Sequence, residues 1–212
     1  MSGLELGQVS IRRAGAASPL FPALSLEVHA GEILTIMGPS GIGKSTLIDF
    51  IGGHLDAGFD ASGKVILNGV DVTGRPAEAR GIGILFQDAV LFPHLSVGDN
   101  LAFALDRRIA GRFERRKAVE DALASAGLRG FYERDPATLS GGQRARAALM
   151  RTLLAAPRAL LLDEPFAKLD PELRQEIRSF VFEHVRIRDI PVLMVTHDPS
   201  DAEAAGGRSL AL

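Results

Sequence analysis

The 212-residue chain contains no cysteine, which excludes a disulfide framework and thiolate metal sites and suits a reducing compartment. It also has no long apolar run. Its longest, such as Ala159–Leu162 and Val192–Val195, are only a few residues, whereas crossing a bilayer takes about 20. Work at a membrane would therefore need another chain to do the spanning. Positive charge is not in excess, with 24 Lys and Arg against 26 Asp and Glu and a net charge of −2, which argues against a general nucleic-acid binder. The opening MSGLELGQVSIRRAG lacks a charged leader ahead of an apolar stretch, so no secretory signal is expected. No internal repeat and no low-complexity linker is found.

What remains is ordinary globular composition, 46% hydrophobic and 24% charged, enough for one sizeable core and a single domain over 1–212. Short apolar runs alternate with helical patterns. Ile33–Met37 is expected to be a strand leading into a Gly-rich loop and a helix from about Lys44. Ile82–Phe86, Leu160–Leu162 and Val192–Val195 read as further strands, buried on both faces of a mainly parallel sheet. This is the α/β class, in which ligands sit beyond the carboxyl ends of the strands. Residues 1–30 and about 60–75 read as antiparallel strands, with Asn68-Gly69 after Lys64–Leu67 as a hairpin turn. Residues from about 88 to 157 read as a helical subdomain, in which the basic run Arg107, Arg108, Arg112, Arg115, Arg116 and Lys117 is a solvated helix face.

Residues 38–46, GPSGIGKST, fit the spacing of a phosphate-binding loop: Gly38, Pro39, Ser40, Gly41, Ile42, Gly43, Lys44, Ser45 and Thr46. Glycines let the backbone curl so that N–H groups point at phosphate oxygens, and the following helix adds its positive end. Lys44 is placed for the β- and γ-phosphates and Ser45 for Mg²⁺. Alone, the loop leaves kinases, GTPases and ATPases open.

In Leu160-Leu161-Leu162-Asp163-Glu164-Pro165 an apolar strand ends in two carboxylates. Asp163 is assigned to Mg²⁺ and Glu164 to the attacking water. The alternative is that acids merely mark a strand end.

Leu139-Ser140-Gly141-Gly142-Gln143 opens a helix whose apolar face is expected at Ala145, Ala148, Leu149, Leu153 and Ala156. Ser140 is an N-cap, and the glycines leave N–H groups free at a positive helix end, making a second anion cradle. A head-to-tail homodimer, in which each cradle covers nucleotide held by its partner, would use both sites. The plainer reading is a capped helix start.

GPSGIGKST, Gln87, LSGGQ, LLLDEP, Leu169-Asp170 and His197 together resemble ABC transporter ATPase subunits over essentially the whole chain. GILFQDAVLF and DPATLSGGQRARAALMRTLLA look closest to the YnjD-type importer ATPases, and more loosely to the thiamine and ferric-iron importer group. The resemblance implies a RecA-like P-loop NTPase core with an antiparallel β subdomain and an α-helical subdomain. It implies ATP and Mg²⁺, with Gln87 sensing the metal and the attacking water. His197 would bind the γ-phosphate, Asp170 would lie at the dimer seam, and Ser140 and Gly142 would touch the partner's nucleotide. It further implies permease subunits, met by the surface around Phe92, Pro93, His94 and Leu95, and an external solute-binding protein. The place of work would be the cytoplasmic face of the inner membrane, as a peripheral subunit without nucleic acid. An exporter motor and a soluble ABC ATPase acting on nucleic acid or ribosomes are the competing readings. A non-ABC nucleotide kinase fits LSGGQ and His197 poorly. His29, His54, His94 and His184 are read as structural.

Three departures from the family pattern stand out. The place near Gly15, where relatives put an aromatic ring against adenine, has none; Arg12, Arg13 or Phe21 are the candidates to replace it. Ala167 stands where relatives commonly have Ser. Because the chain stops at Leu212, no C-terminal regulatory domain is expected.

Overall fold

The computed structural model describes residues 3–106 and 108–212; Met1 and Ser2 of the N-terminal region and Arg107 of the basic run lie outside the described residues. In chain order the first half comprises β1 (Gly3–Arg13), β2 (Leu24–His29), β3 (Ile33–Met37), α1 (Lys44–Gly52), β4 (Phe59–Leu67), β5 (Val70–Asp71), α2 (Ala77–Arg80) and β6 (Ile82–Leu85). The second half comprises α3 (Val97–Ala104), α4 (Arg112–Ser125), a 3₁₀ turn at Pro136–Thr138, α5 (Gly141–Leu154), β7 (Ala159–Asp163), α6 (Pro171–Arg186), β8 (Val192–Thr196), α7 (Pro199–Ala205) and β9 (Ser209–Ala211).

The four apolar runs pair side by side in one parallel sheet of order β6-β7-β8-β3-β9. Alternate residues serve two cores. Leu160 and Leu162 of β7 and Val192 and Met194 of β8 face the helices. Leu161, Leu193 and Val195 face α1 and the second sheet. Period-2 alternation thus explains why these strands read as unbroken apolar runs. All four begin where the sequence predicts, to within one residue, but β6 stops at Leu85 rather than Phe86, and Phe86 is left 45% exposed.

The second sheet is antiparallel, in the order β2-β1-β4-β5. Asn68 and Gly69 take φ of 52° and 75°, the left-handed pair that a two-residue hairpin turn needs, and Leu67 pairs with Val70 across it. A bulge in β1 shifts its register on both neighbours. Opposite it, a Cβ on Gly63 would stand 2.6 Å from the Val9 Cα, so only glycine fits there.

Helices α3, α4 and α5 pack together between residues 97 and 154. The α5 face differs from the sequence reading. Ala147 and Met150 are buried with Ala148, Leu149 and Leu153, Ala145 is only partly covered, and Ala156 lies exposed beyond the helix end. Ala156 precedes Pro157, whose ring disfavours helical backbone in the residue before it, and its φ of 50° carries the chain away. No helix among the described residues is long and apolar enough to cross a membrane.

Candidate functional site

Between β3 and α1 the loop 38–43 curls back on itself, with Gly41 at φ 84° and Gly43 at φ 109°. Gly43 is needed for space as well, since a Cβ there would meet Leu20 Cδ1 at 2.9 Å. Lys44 opens α1 only 4% exposed. Its Nζ donates to the carbonyls of Gly38 at 2.8 Å and Pro39 at 3.1 Å, folding the side chain over the loop. Gly38, Pro39, Ser40, Gly41, Ile42, Gly43, Lys44, Ser45 and Thr46 therefore form one continuous strand–loop–helix unit at the carboxyl edge of the sheet.

The carboxyl end of β7 brings the acidic pair to the same edge. Ser45 Oγ donates to Asp163 Oδ1 at 2.9 Å. Burial pushes the Asp163 carboxyl up, and the Ser45 hydrogen bond only partly offsets it. Two hard oxygen donors at hydrogen-bond distance, one of them a carboxylate in need of positive charge, fit a divalent cation such as Mg²⁺. Glu164 leaves the strand with a left-handed φ of 43°, and its N–H is held by the Val195 carbonyl at 3.0 Å. Its two carboxylate oxygens reach different partners: Oε1 stands 3.3 Å from Lys44 Nζ, and Oε2 stands 3.0 Å from Nδ1 of His197, just past β8.

The remaining residues stand apart. Gln87 lies exposed beyond β6 on the same edge, and no hydrogen bond among the described residues joins its side chain to Lys44, Ser45, Asp163 or Glu164. It lines a 620 Å³ groove with Leu85, Val90, Pro93, Ala145 and Leu169. Lys168 and Asp88 bridge that groove's residues at 2.5 Å. Ser140 caps α5 in a reciprocal box: its Oγ accepts from Gln143 N at 3.3 Å, and Gln143 Oε1 accepts from Ser140 N at 3.1 Å. A Cβ on Gly142 would meet Leu173 Cδ1 at 2.5 Å, so this glycine also lets α6 approach; Gly141 is exposed. No hydrogen bond links this cradle to residues 38–46 among the described residues. Asp170 caps α6, accepting from Leu173 N at 3.0 Å. Of the candidates for the missing ring, Phe21 is 3% exposed, whereas Arg12, in a surface pair with Asp60, and Arg13 are both exposed.

The ABC transporter family profile matches residues 21–167, spanning the phosphate loop, the cradle and the acidic pair. The chain belongs to the ABC transporter family. This ABC cassette is 52% identical over 187 residues to the uncharacterized ABC transporter ATP-binding protein YnjD of Escherichia coli (strain K12), covering 88% of this chain and 86% of that one. It is 44% identical over 177 residues to the thiamine import ATP-binding protein ThiQ of Ruegeria sp. (strain TM1040), covering 82% and 74%. It is 37% identical over 203 residues to the Fe(3+) ions import ATP-binding protein FbpC of Rhizobium etli, covering 96% of this chain but 57% of that protein's length. Among solved structures it is similar to the ATP-binding cassette MJ0796, a dimer in a post-hydrolysis state bound to ADP and Pi. The TM-score is 0.81 at 30% identity, over 99% of this chain and 94% of that one. The fold is thus the RecA-like P-loop NTPase fold with antiparallel sheet and helical subdomain, and the cassette binds and hydrolyses ATP.

Arg174, Asp198 and Asp201, which tie the loops after β7 and β8 together, escaped the sequence reading. The available signal was the spacing of Arg174, one helical turn past the Asp170 cap.

Proposed function

We propose that this cassette energises an importer of a small solute, with the path across the membrane built by separate permease subunits. The importer reading is supported by the relatives named for thiamine and iron import. The observation that carries the chemistry is one carboxylate held between an ammonium and an imidazole, Glu164 between Lys44 and His197.

Lys44 is placed to meet the β- and γ-phosphates while the amides of 38–46 surround them. Ser45 and Asp163, with Gln87, would hold Mg²⁺, which when bound neutralises phosphate charge and orients the γ-phosphoryl group. Glu164 orients the attacking water and takes its proton as the water oxygen bonds to the γ-phosphorus and the bond to ADP breaks. With Nδ1 of His197 facing Glu164, the other ring nitrogen is left for a γ-phosphate oxygen. Catalysis is positioning and charge stabilisation, with no covalent enzyme intermediate.

Ser140, Gly141, Gly142 and Gln143 complete the site of a second copy, with Asp170 near the seam. The dimeric state of the similar MJ0796 cassette supports this. The groove beside Gln87, rimmed by Phe86 and Val90 at 45% and 63% exposed, receives a permease helix near Phe92, Pro93, His94 and Leu95. The subunit then sits peripherally on the cytoplasmic face of the inner membrane, opposite an external solute-binding protein.

The test is Glu164→Gln with ATP, followed by phosphate release and by light scattering on a sizing column. The expected result is retained nucleotide, no turnover and a dimer. Wild-type turnover, or a monomer even with permease supplied, overturns the reading.

A further inference from the structure

Behind the Glu164–His197 contact lies an ionic network that the hydrolysis step does not use directly. Arg174, in the first turn of α6, donates from Nε to the Phe166 carbonyl at 3.1 Å and pairs through Nη1 with the Asp198 carboxylate. Phe166 lies two residues beyond Glu164, and Asp198 directly follows His197. One guanidinium therefore grips the two loops that carry the facing side chains.

Each loop is further tied near that grip. The Ala167 amide donates to the Glu164 carbonyl at 3.2 Å. The Asp198 amide donates to Thr196 Oγ1 at 3.1 Å, and that hydroxyl donates to Asp201 Oδ2 at 3.1 Å. Asp201 is 1% exposed and pairs with Arg178 at 2.6 Å, and its Oδ1 lies 3.9 Å from Arg174 Nε. Asp198 also accepts from the Ser200 amide and hydroxyl, each at 2.8 Å. Ion pairs of this kind, partly exposed at Arg174–Asp198 and buried only at Asp201, are a poor way to gain stability, because solvent screens the one and desolvation takes back most of the attraction in the other. Their more telling property here is geometric. Glu164 keeps a left-handed backbone that a non-glycine residue holds only when its surroundings enforce it.

We propose that Arg174 is a positioning residue for hydrolysis, setting the separation of the Glu164 carboxylate and the His197 ring by clamping Phe166 to Asp198. This rests on the reading that Glu164 and His197 act together at the γ-phosphate. Arg174 makes no hydrogen bond or ion pair to residues 38–46 among the described residues, so nucleotide binding is separable from its effect. Misplacing reacting groups by a fraction of an ångström to an ångström is enough to slow a step about tenfold to a hundredfold.

The experiment compares steady-state hydrolysis and nucleotide affinity of the full chain in wild type, Arg174→Gln, Arg174→Lys, Asp198→Asn and the Arg174→Gln/Asp198→Asn double variant, well below each one's thermal midpoint. Arg174→Gln should lose about tenfold or more in kcat with KM and affinity changed less than about twofold. Arg174→Lys should recover part of the loss, and the double variant should be no slower than its slower parent. A folded Arg174→Gln protein with wild-type kcat overturns the proposal, as do fully additive losses in the double variant. If Arg174→Gln does not fold, Arg174→Lys and Asp198→Asn both at full kcat overturn it instead. Glu164→Gln, assayed alongside, keeps the two failures apart. Turnover in that variant sinks the catalytic reading, whereas an inert Glu164→Gln beside a fully active Arg174→Gln sinks only the clamp.

Discussion

Nζ of Lys44 stands 3.3 Å from Oε1 of Glu164, joining the first turn of α1 to the exit of β7. Both side chains are largely buried, at 3% and 15% exposed, so the pair is weakly screened by solvent. The ammonium that holds the loop carbonyls of Gly38 and Pro39 is thus also the cation against which the Glu164 carboxylate is oriented.

Lys44→Ala should therefore fail twice, in phosphate contact and in the placement of Glu164. The expected loss is about a hundredfold or more in kcat/KM for ATP. Fluorescent-nucleotide titration and phosphate release measure the two parts. Wild-type values in both would refute the assignment.

The parts of this site that the sequence disclosed are those whose chemistry dictates spacing. A phosphate cradle needs its glycines and lysine within one turn, so Gly38 to Thr46 announce themselves. Asp163 and Glu164 stand out because two acids end a run of leucines. The parallel strands were legible because burial leaves them almost wholly apolar, Thr35 and Thr196 being the buried polar exceptions. Strand β9 was not, since its three residues are exposed and are held to β3 by backbone pairing alone. Arg174 and Asp201 were hidden for a different reason. Each looks like an ordinary charged position on an amphipathic helix, and only the crossing of α6 and α7 brings them onto the loops after β7 and β8. The apolar face of α5 was misjudged at its end because Pro157 stops the helix before Ala156.

Base selectivity follows from what surrounds the phosphate loop. Phe21 is buried, and its ring edge lies with Leu20 against Gly43 rather than open to a base. Among the described residues of the β1–β2 connection no exposed ring is available to stack on a purine, although Phe21 was one candidate from the sequence. ATP and GTP should therefore be hydrolysed at rates within about threefold of each other, since a guanidinium stacked from Arg12 or Arg13, like aliphatic contact, meets either purine alike and reads neither hydrogen-bonding edge. Competition between the two nucleotides in a phosphate-release assay measures this, and a strong preference for ATP would refute it.

Arg80 links the antiparallel region to the helix behind the phosphate loop. At 5% exposed it donates to the carbonyls of Phe50 and Ile51 at the end of α1, and to those of Thr73 and Arg75. Burial pulls its pKa down, and the guanidinium, which does not lose its proton in proteins, stays a donor. Arg80→Ala leaves these carbonyls without their donor and should cost about 3 kcal/mol, or about 9 °C in thermal midpoint. Chemical denaturation gives the free energy directly, and a change below about 0.5 kcal/mol would show that water replaces the guanidinium freely.

Asp198 supplies a pH signature. Hydrogen bonds from the Ser200 hydroxyl and amide, with Arg174 adding to them, hold its carboxyl below the ordinary value of 3.8. A carboxylate whose folded-state pKa is depressed stabilises the fold above its unfolded value, and that stabilisation is lost as pH falls through the folded value. Asp198→Asn has no such proton to gain, and carboxylates common to both proteins cancel when the two are compared. The stability difference between wild type and Asp198→Asn should thus be constant above about pH 5 and shrink steadily below about pH 4. Urea unfolding across pH 2 to 7, with wild type and variant side by side, measures it. A difference that does not change with pH would mean that the asparagine retains the Ser200 and Arg174 contacts and that the charge of Asp198 contributes nothing.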